Sequence, residues 1–257
     1  MHSIVSLDLL QFGITYLLLI VVLFVMKKAK INQTKLLVVA SIRMTVQLIL
    51  AGLILTYIFA NPHPVFTILY ILIMVGFSAY RILSKNRWLN RQFKIYIVLA
   101  ISLSGILILV FFLKAVVGIS MFNPQYAIPI GGMIIGNAMT GITLGLKSFH
   151  ENLDSNRTQI GALLDIGASP KKILLPFVNS AIESALLPTL NSMLGLGIVS
   201  LPGMMTGQIL SGTLPLTAIM YQIAIMIAIC TSVCLAVFLT LYLGYQTLYN
   251  RKNQFML

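Results

Sequence analysis

Four of the five acidic residues, Glu151, Asp154, Asp165 and Glu183, fall in one stretch, Lys147 to Pro188, where long apolar runs stop for about 40 residues. Lys147, Arg157, Lys171 and Lys172 share that stretch, so it carries a mixed-charge surface suited to pairing with another protein. Within the apolar runs the polar groups are scattered and, apart from Arg43 and Lys114, uncharged. Asn137, Thr140, Thr143, Asn191, Ser192 and Gln222 interrupt apolar runs and together offer amides and hydroxyls to a shared polar path. Met133, Met139, Met193, Met204 and Met205 add thioethers, which are soft metal ligands in some settings and gap-fillers in most.

The parts of a catalyst are missing. The chain has three histidines, His2, His63 and His150, and contains no H-E-x-x-H, C-x-x-C or G-x-S-x-G pattern. No G-x-x-x-x-G-K-[ST] loop is present to cradle nucleotide phosphates. Cys230 and Cys234 lie four apart on one helical face, a poor geometry for a disulfide, and read as buried small hydrophobes. Neither a catalytic residue nor a cofactor bound by this chain is therefore expected.

The elements that must position these groups are apolar helices. With 59% hydrophobic residues, 9% charged residues and a mean hydropathy of +0.99, lipid is the expected solvent for much of the 257-residue chain. A hydrocarbon core of about 30 Å needs roughly 20 apolar residues per helix. Seven stretches qualify: Leu9 to Met26, Leu36 to Ala60, Val65 to Leu83, Ile95 to Val117, Tyr126 to Leu146, Leu187 to Leu210 and Leu216 to Tyr245. An all-α, multi-pass membrane protein forming a single domain over 1–257 follows. The first span opens with Asp8 and lacks a small-residue cleavage site, so it is expected to stay as a helix.

Fifteen of the seventeen Lys and Arg residues form four patches: Lys27 to Lys35, Arg81 to Lys94, Lys147 to Lys172, and Arg251 with Lys252. Threading the spans alternately puts all four on one side. The positive-inside rule makes that side cytoplasmic, with the amino terminus outside and the carboxyl terminus inside. The net charge of +12 thus belongs to loops facing the cytoplasm, and nucleic acid is not an expected partner. Arg43 stands apart, about two turns inside span two, where it can snorkel outward beside Gln47.

Two regions break the monotony. In the segment 147–186, Ile160, Leu163, Leu164 and Gly167 are spaced like one face of a short amphipathic helix. The turn Gly167-Ala168-Ser169-Pro170 follows, with Ser169 as a candidate cap and Pro170 at the first position of a second amphipathic helix whose face is Ile173, Leu174, Phe177, Val178 and Ile182. Helix, turn, helix on the cytoplasmic side is the shape of a lever for an external motor, or of an interfacial helix resting on lipid head groups. The second region, Leu194 to Pro215, carries Gly195, Gly197, Pro202, Gly203, Gly207 and Gly212, and predicts a kink or break at Leu201-Pro202-Gly203 inside span six. Such breaks serve as hinges or substrate sites in transporters, or as simple packing devices. Gly132/Gly136, Gly141/Gly145 and Gly203/Gly207 are small-xxx-small pairs that pack helices within a bundle or between two copies.

At these residues the chain resembles the FetB-type (YbbM-like) permeases of ATP-binding-cassette transporters, a family associated with bacterial iron export and, in plants, with aluminium tolerance. The resemblance runs over Tyr126 to Tyr242, through Ile128-Pro129-Ile130-Gly131-Gly132-Met133-Ile134-Ile135-Gly136-Asn137-Ala138-Met139, Gly167-Ala168-Ser169-Pro170-Lys171-Lys172, Leu187-Pro188-Thr189 and Val199-Ser200-Leu201-Pro202-Gly203-Met204-Met205-Thr206-Gly207. It implies a permease subunit of the cell membrane that works as a homodimer with a separate ATPase subunit, where ATP would bind, and it implies a metal, iron, as cargo. Glu151, Arg157, Leu163, Leu164, Gly167, Ser169, Pro170, Lys171 and Lys172 would then couple to the ATPase, and Asn137, Thr140, Asn191, Ser192, Pro202, Met204, Met205 and Gln222 are the path candidates. Relatives in this family carry an acidic residue at the position of Asn191 and a lysine at that of Leu194; both charges are absent here. The competing readings are an ion-coupled secondary carrier, for which Glu183 is the one candidate carboxylate, and a membrane scaffold without cargo.

Overall fold

The computed structural model describes residues 8–249; His2, Arg251 and Lys252 lie outside them. The described chain is helical throughout: α1 (Leu9–Lys28), α2 (Thr34–Ala60), α3 (Pro64–Lys85), α4 (Arg91–Phe111), α5 (Pro124–Ser155), α6 (Arg157–Asp165), α7 (Pro170–Gly195), α8 (Gly203–Leu210) and α9 (Pro215–Gly244). All but α6 and α8 are long and apolar enough to cross a membrane, seven spans among the described residues. Local chemistry sets the boundaries. Helices α3, α5, α7 and α9 each begin on a proline, whose missing N–H costs nothing there. Asn90 Oδ1 and Asn123 Oδ1 accept from the N–H groups of Phe93 (2.8 Å) and Gln125 (3.1 Å) at the starts of α4 and α5. Helix α4 ends through a π-helical turn, Phe112–Val117, closed by Gly118 at φ 75°.

The chain divides into two compact units. The first comprises 8–62 with 210–213. In it α1 and α2 are joined by a hydrogen bond between Tyr16 Oη and Thr45 Oγ1, and their apolar side chains are almost all exposed, as lipid-facing helices require.

The second unit, 63–209 with 214–249, holds the core. Helices α4, α5 and α9 pack through Phe93, Ile97, Ile134, Ile142, Val233 and Val237, all fully buried. In lipid, apolar surface alone does not draw helices together, so close approach over small residues has to. A Cβ on Gly141 would sit 2.7 Å from Val233 Cγ1, and one on Gly145 would sit 3.3 Å from both Ala185 Cβ and Leu241 Cδ1. A Cβ on Gly244 would collide with the Phe93 ring. The Gly141/Gly145 pair is thus spent inside the copy. Gly136, Gly203 and Gly207 have nothing within 4 Å of such an atom.

Both ends of this unit are tied. At one end Asn90 Nδ2 donates to the Thr247 carbonyl (2.6 Å), Thr247 Oγ1 donates back to Asn90 Oδ1 (3.1 Å), and Trp88 stacks on His150 at 4.4 Å. That end gathers Lys85, Arg87, Arg91, Lys94 and Lys147. At the other end, Thr67 Oγ1 donates to the Phe122 carbonyl (3.0 Å), and Lys114 in the π-helical turn is the one Lys or Arg nearby among the described residues of this unit.

Spans five and six differ from the sequence expectation. Helix α5 runs on to Ser155, and α7 is one uninterrupted helix from Pro170 to Gly195 that absorbs both the second amphipathic helix and the lower part of span six. The apolar face begun by Ile173, Leu174 and Val178 is buried in the bundle, so it continues directly into a crossing helix instead of lying on the membrane surface. Pro176 and Pro188 are tolerated inside it. The helix stops at Gly195, seven residues before Pro202, where Gly197 turns to φ 82°. Ser169 stands at the N-cap with an extended backbone, but its side chain makes no capping bond.

Overpacking tests the α5–α9 contact. Gly141→Leu should destabilise the protein by about 1–3 kcal/mol in a reversible unfolding titration in bicelles, whereas Gly136→Ala should be neutral or slightly stabilising. Equal effects would mean that α5 does not pack as described.

Candidate functional site

Two features stand out in the second unit: a polar face shared by α5 and α7, and an apex formed by α6 and the turn after it.

The register of the antiparallel α5–α7 pair is fixed by two contacts, the Gly145–Ala185 approach and a 3.2 Å hydrogen bond from Ser148 Oγ to Ser184 Oγ. Moving away from the basic end, Thr140 and Asn137 on α5 keep pace with Pro188, Asn191 and Ser192 on α7, about 6–17 Å beyond the serine pair at 1.5 Å per residue. Asn137, Thr140, Asn191 and Ser192 are all exposed in the single copy. A 100° turn per residue places Ser148, Thr140 and Asn137 on one side of α5, and Ser184, Pro188 and Asn191 on the matching side of α7. Asn137, Thr140 and Asn191 are therefore brought to one face, with Ser192 next to Asn191 at its margin.

That face ends where α7 ends. Gly195 is ten residues beyond Ala185, which sets it level with Ile135 on α5. Ile135 lies about midway between Pro124, at the start of α5, and Lys147, the first charge at its basic end. Helix α7 accordingly ends about midway along the uncharged stretch of α5. The break is a tight loop: the Gly195 carbonyl accepts from the N–H groups of Val199 (2.9 Å) and Ser200 (3.3 Å), and the Gly197 N–H donates to the Ser200 carbonyl (3.1 Å). Leu194, Ile198 and Val199 are more than 80% exposed there, leaving the end of α7 without cover in the single copy. Helix α8 resumes after Pro202, with Thr206 Oγ1 donating to the Pro202 carbonyl (3.1 Å). Met205 is buried, Met204 packs against the core, and Gln222 is buried on α9; these three and Pro202 are not brought onto the α5/α7 face.

The apex is built by a C-terminal motif with a physical logic. The Gly167 N–H donates to the Leu164 carbonyl (2.9 Å) and the Ala168 N–H to the Leu163 carbonyl (3.0 Å), with Gly167 left-handed at φ 83°. Ile160 is buried, and Leu163, Leu164 and Ala168 pack inward. Arg157, Asp165, Gly167, Lys171 and Lys172 face outward, and Glu151 pairs with Lys147 at 3.7 Å on the end of α5. One residue here escaped the sequence reading: Ile166 is 78% exposed at the tip of the turn. An isoleucine next to a helical apolar pattern reads as core, and only the left-handed glycine after it turns it outward.

Among the described residues no group of three or more His, Cys, Asp or Glu is placed to hold a metal. Glu183 is exposed, beside the Ser148–Ser184 bond at the basic end and about 18 Å from the break along α7.

Comparison with known proteins agrees on the family. The model described as "Uncharacterised protein family (UPF0014)" matches residues 9–249, and the chain belongs to that family. It is 33% identical to the UPF0014 membrane protein YjkA of Bacillus subtilis over 85% of this chain and 86% of the relative. It is 32% identical to the "Probable iron export permease protein FetB" of Escherichia coli over 95% of this chain and 93% of the relative. The Arabidopsis thaliana protein ALUMINUM SENSITIVE 3 is 33% identical over 72% of this chain and 66% of the relative. No solved structure matches. The chain is a multi-pass membrane protein whose relatives include a named permease.

Water access separates a polar path from a lipid-facing stripe. In a background with Cys230→Ser and Cys234→Ser, single cysteines at 137, 140 and 191 should react with a hydrophilic thiosulfonate at least about tenfold faster than Leu103→Cys, an exposed position on α4, because the thiolate that reacts needs water. Equal rates at all four positions would place the α5/α7 face in lipid.

Proposed function

We propose that this UPF0014 member is the membrane-spanning subunit of an ATP-binding-cassette transporter of the cell membrane, exporting a metal ion, with iron the first cargo to test, and driven by a separate ATPase subunit. The carrying observation is the polar α5/α7 face that ends at a helix break at mid-bilayer. Amides and hydroxyls at that depth are costly against lipid and belong in a water-filled cavity, and discontinuous membrane helices recur where transporters hold their cargo. The name of the Escherichia coli relative supports export of iron, and the plant relative's name supports a connection with metal.

The reading assigns sides and partners. The basic end of the second unit is cytoplasmic by the positive-inside rule, which also fits an outside amino terminus. The polar face is open in one copy, so the path is completed by a second copy bringing the same face across a two-fold axis. The ATPase docks on the apex. Helix α5 is 32 residues long, about 48 Å, and so carries α6 to the edge of the bilayer or past it. Four cations (Lys147, Arg157, Lys171 and Lys172) and four anions lie along 147–183, a near-neutral surface that anionic lipid attracts weakly and a protein can match in detail. Ile166 supplies the apolar anchor, and a turn already held by its backbone hydrogen bonds loses little freedom on docking. An ion-coupled carrier would instead need a carboxylate at the break, and Glu183 is far from it.

Reconstitution with the ATPase that co-purifies with the chain tests this. Ile166→Asp should weaken the complex by about 30-fold or more, the size expected for a hot-spot anchor, while Ile166→Leu stays within threefold. Gly167→Leu, or Lys171→Glu with Lys172→Glu, should leave membrane insertion intact and uncouple hydrolysis from iron efflux. Efflux that persists without any ATPase, driven by a proton gradient, would overturn the proposal.

A further inference from the structure

The α5/α7 face is not merely polar; its hydroxyl protons are already spent. Thr140 Oγ1 donates to the Gly136 carbonyl (3.1 Å), Thr143 Oγ1 to Met139 (2.8 Å), Ser184 Oγ to Ser180 (2.9 Å) and Ser192 Oγ to Pro188 (2.9 Å). Ser148 Oγ donates to Ser184 Oγ (3.2 Å), and Asn137 commits one of its two amide hydrogens to the Met133 carbonyl (2.7 Å). Back-bonding of this kind is ordinary for hydroxyls in helices. Its consequence here is directional: each hydroxyl can offer an incoming solute only oxygen lone pairs. From Ser148 up to Asn137 the face is a ladder of acceptors.

At the top of the ladder the break adds more of the same. The last carbonyls of any helix lack intrahelical partners, and the helix dipole makes that end negative. In α7 the Gly195 carbonyl is taken up by the loop through the N–H groups of Val199 and Ser200, and the carbonyls of the preceding turn belong to the same turn as Asn191 and Ser192. No Lys, Arg, Asp or Glu lies on α5 between Pro124 and Leu146, or on α7 beyond Glu183. The site is therefore neutral and rich in oxygen acceptors, its free donors being the amide hydrogens of Asn191 and the second one of Asn137.

We infer that Asn137, Thr140, Asn191, Ser192 and the terminal carbonyls of α7 form a transient binding site for a hard, oxygen-ligated cation at mid-bilayer. This rests on the transport reading above and narrows its cargo by ligand chemistry. Hard cations take carbonyl, amide and hydroxyl oxygens, whereas thiophilic ions such as Ag⁺ want sulfur. An uncharged oxygen set offsets only part of the cost of dehydrating a cation, so the site holds its ion weakly and lets it go, as a conduit must.

Mn²⁺ is a suitable probe, because its six-line EPR signal reports free ion without any need for turnover. With the intact chain in nanodiscs of zwitterionic lipid, Asn137→Ala with Asn191→Ala should lower Mn²⁺ affinity at least about tenfold. Asn137→Asp, which adds a charge to the oxygen set, should raise it by a similar factor. Glu151→Gln with Asp154→Asn should leave it unchanged, and Ag⁺ should not displace Mn²⁺. Affinity insensitive to both Asn137 variants, or lost with Glu151 and Asp154, would overturn the site while leaving ATP-driven transport standing. Mn²⁺ binding that follows the Asn137 variants in a chain that never stimulates an ATPase would sink the transport reading and keep the site.

Discussion

A membrane helix that stops halfway must find partners for the backbone it leaves bare. Hydrocarbon offers no hydrogen bonds, so every N–H and C=O at mid-bilayer is met by protein, by water or by an ion. Helix α7 ends level with Ile135, midway along the uncharged stretch of α5, and the arrangement around it answers that constraint. The loop after Gly195 closes some of its own hydrogen bonds. Asn137 and Thr140 stand alongside on α5. The remaining exposure of Leu194, Ile198 and Val199 is what a second copy, or a wet cavity between copies, would remove.

The rest of the second unit makes this break tolerable. Close packing over Gly141, Gly145 and Gly244 locks α4, α5 and α9 into a rigid group, and the Asn90–Thr247 and Trp88–His150 contacts fasten its basic end. Against that frame α7 runs unbroken from the apex at Ile166 to the break at Gly195. One stiff helix thereby connects the surface proposed for the ATPase to the place proposed for the cargo. A displacement at Pro170 and a change at Asn191 are, mechanically, two ends of the same rod.

Much of this was legible in the residues, and the exceptions have physical causes. Seven apolar runs, bounded by prolines and basic patches, gave the spans because lipid enforces length and polarity. Gly167 and Pro170 marked the turn because each is nearly obligatory where it stands. The residue pattern puts span six over Leu187 to Leu210 with its break at Pro202, because the apolar run is continuous up to that proline, whereas the helix occupies Pro170–Gly195 and the glycine pair Gly195 and Gly197 ends it. Asn137, Thr140, Asn191 and Ser192 were visible as polar interruptions, but their shared face depends on the Gly145–Ala185 register, a contact between residues 40 apart that no local pattern encodes. Gln222, Met204 and Met205 looked equivalent to them in sequence and are placed differently by packing.

The central claim is that the α5/α7 face, with the broken end of α7, meets its counterpart on a second copy. Double electron–electron resonance from a single spin label at position 191, in lipid, measures this directly. Faces opposed across a two-fold axis, with helices about 10 Å across, predict an inter-copy distance of roughly 15–30 Å that shifts when the ATPase partner binds ATP. A monodisperse sample with no dipolar coupling, or a distance beyond about 50 Å in both nucleotide states, would contradict it.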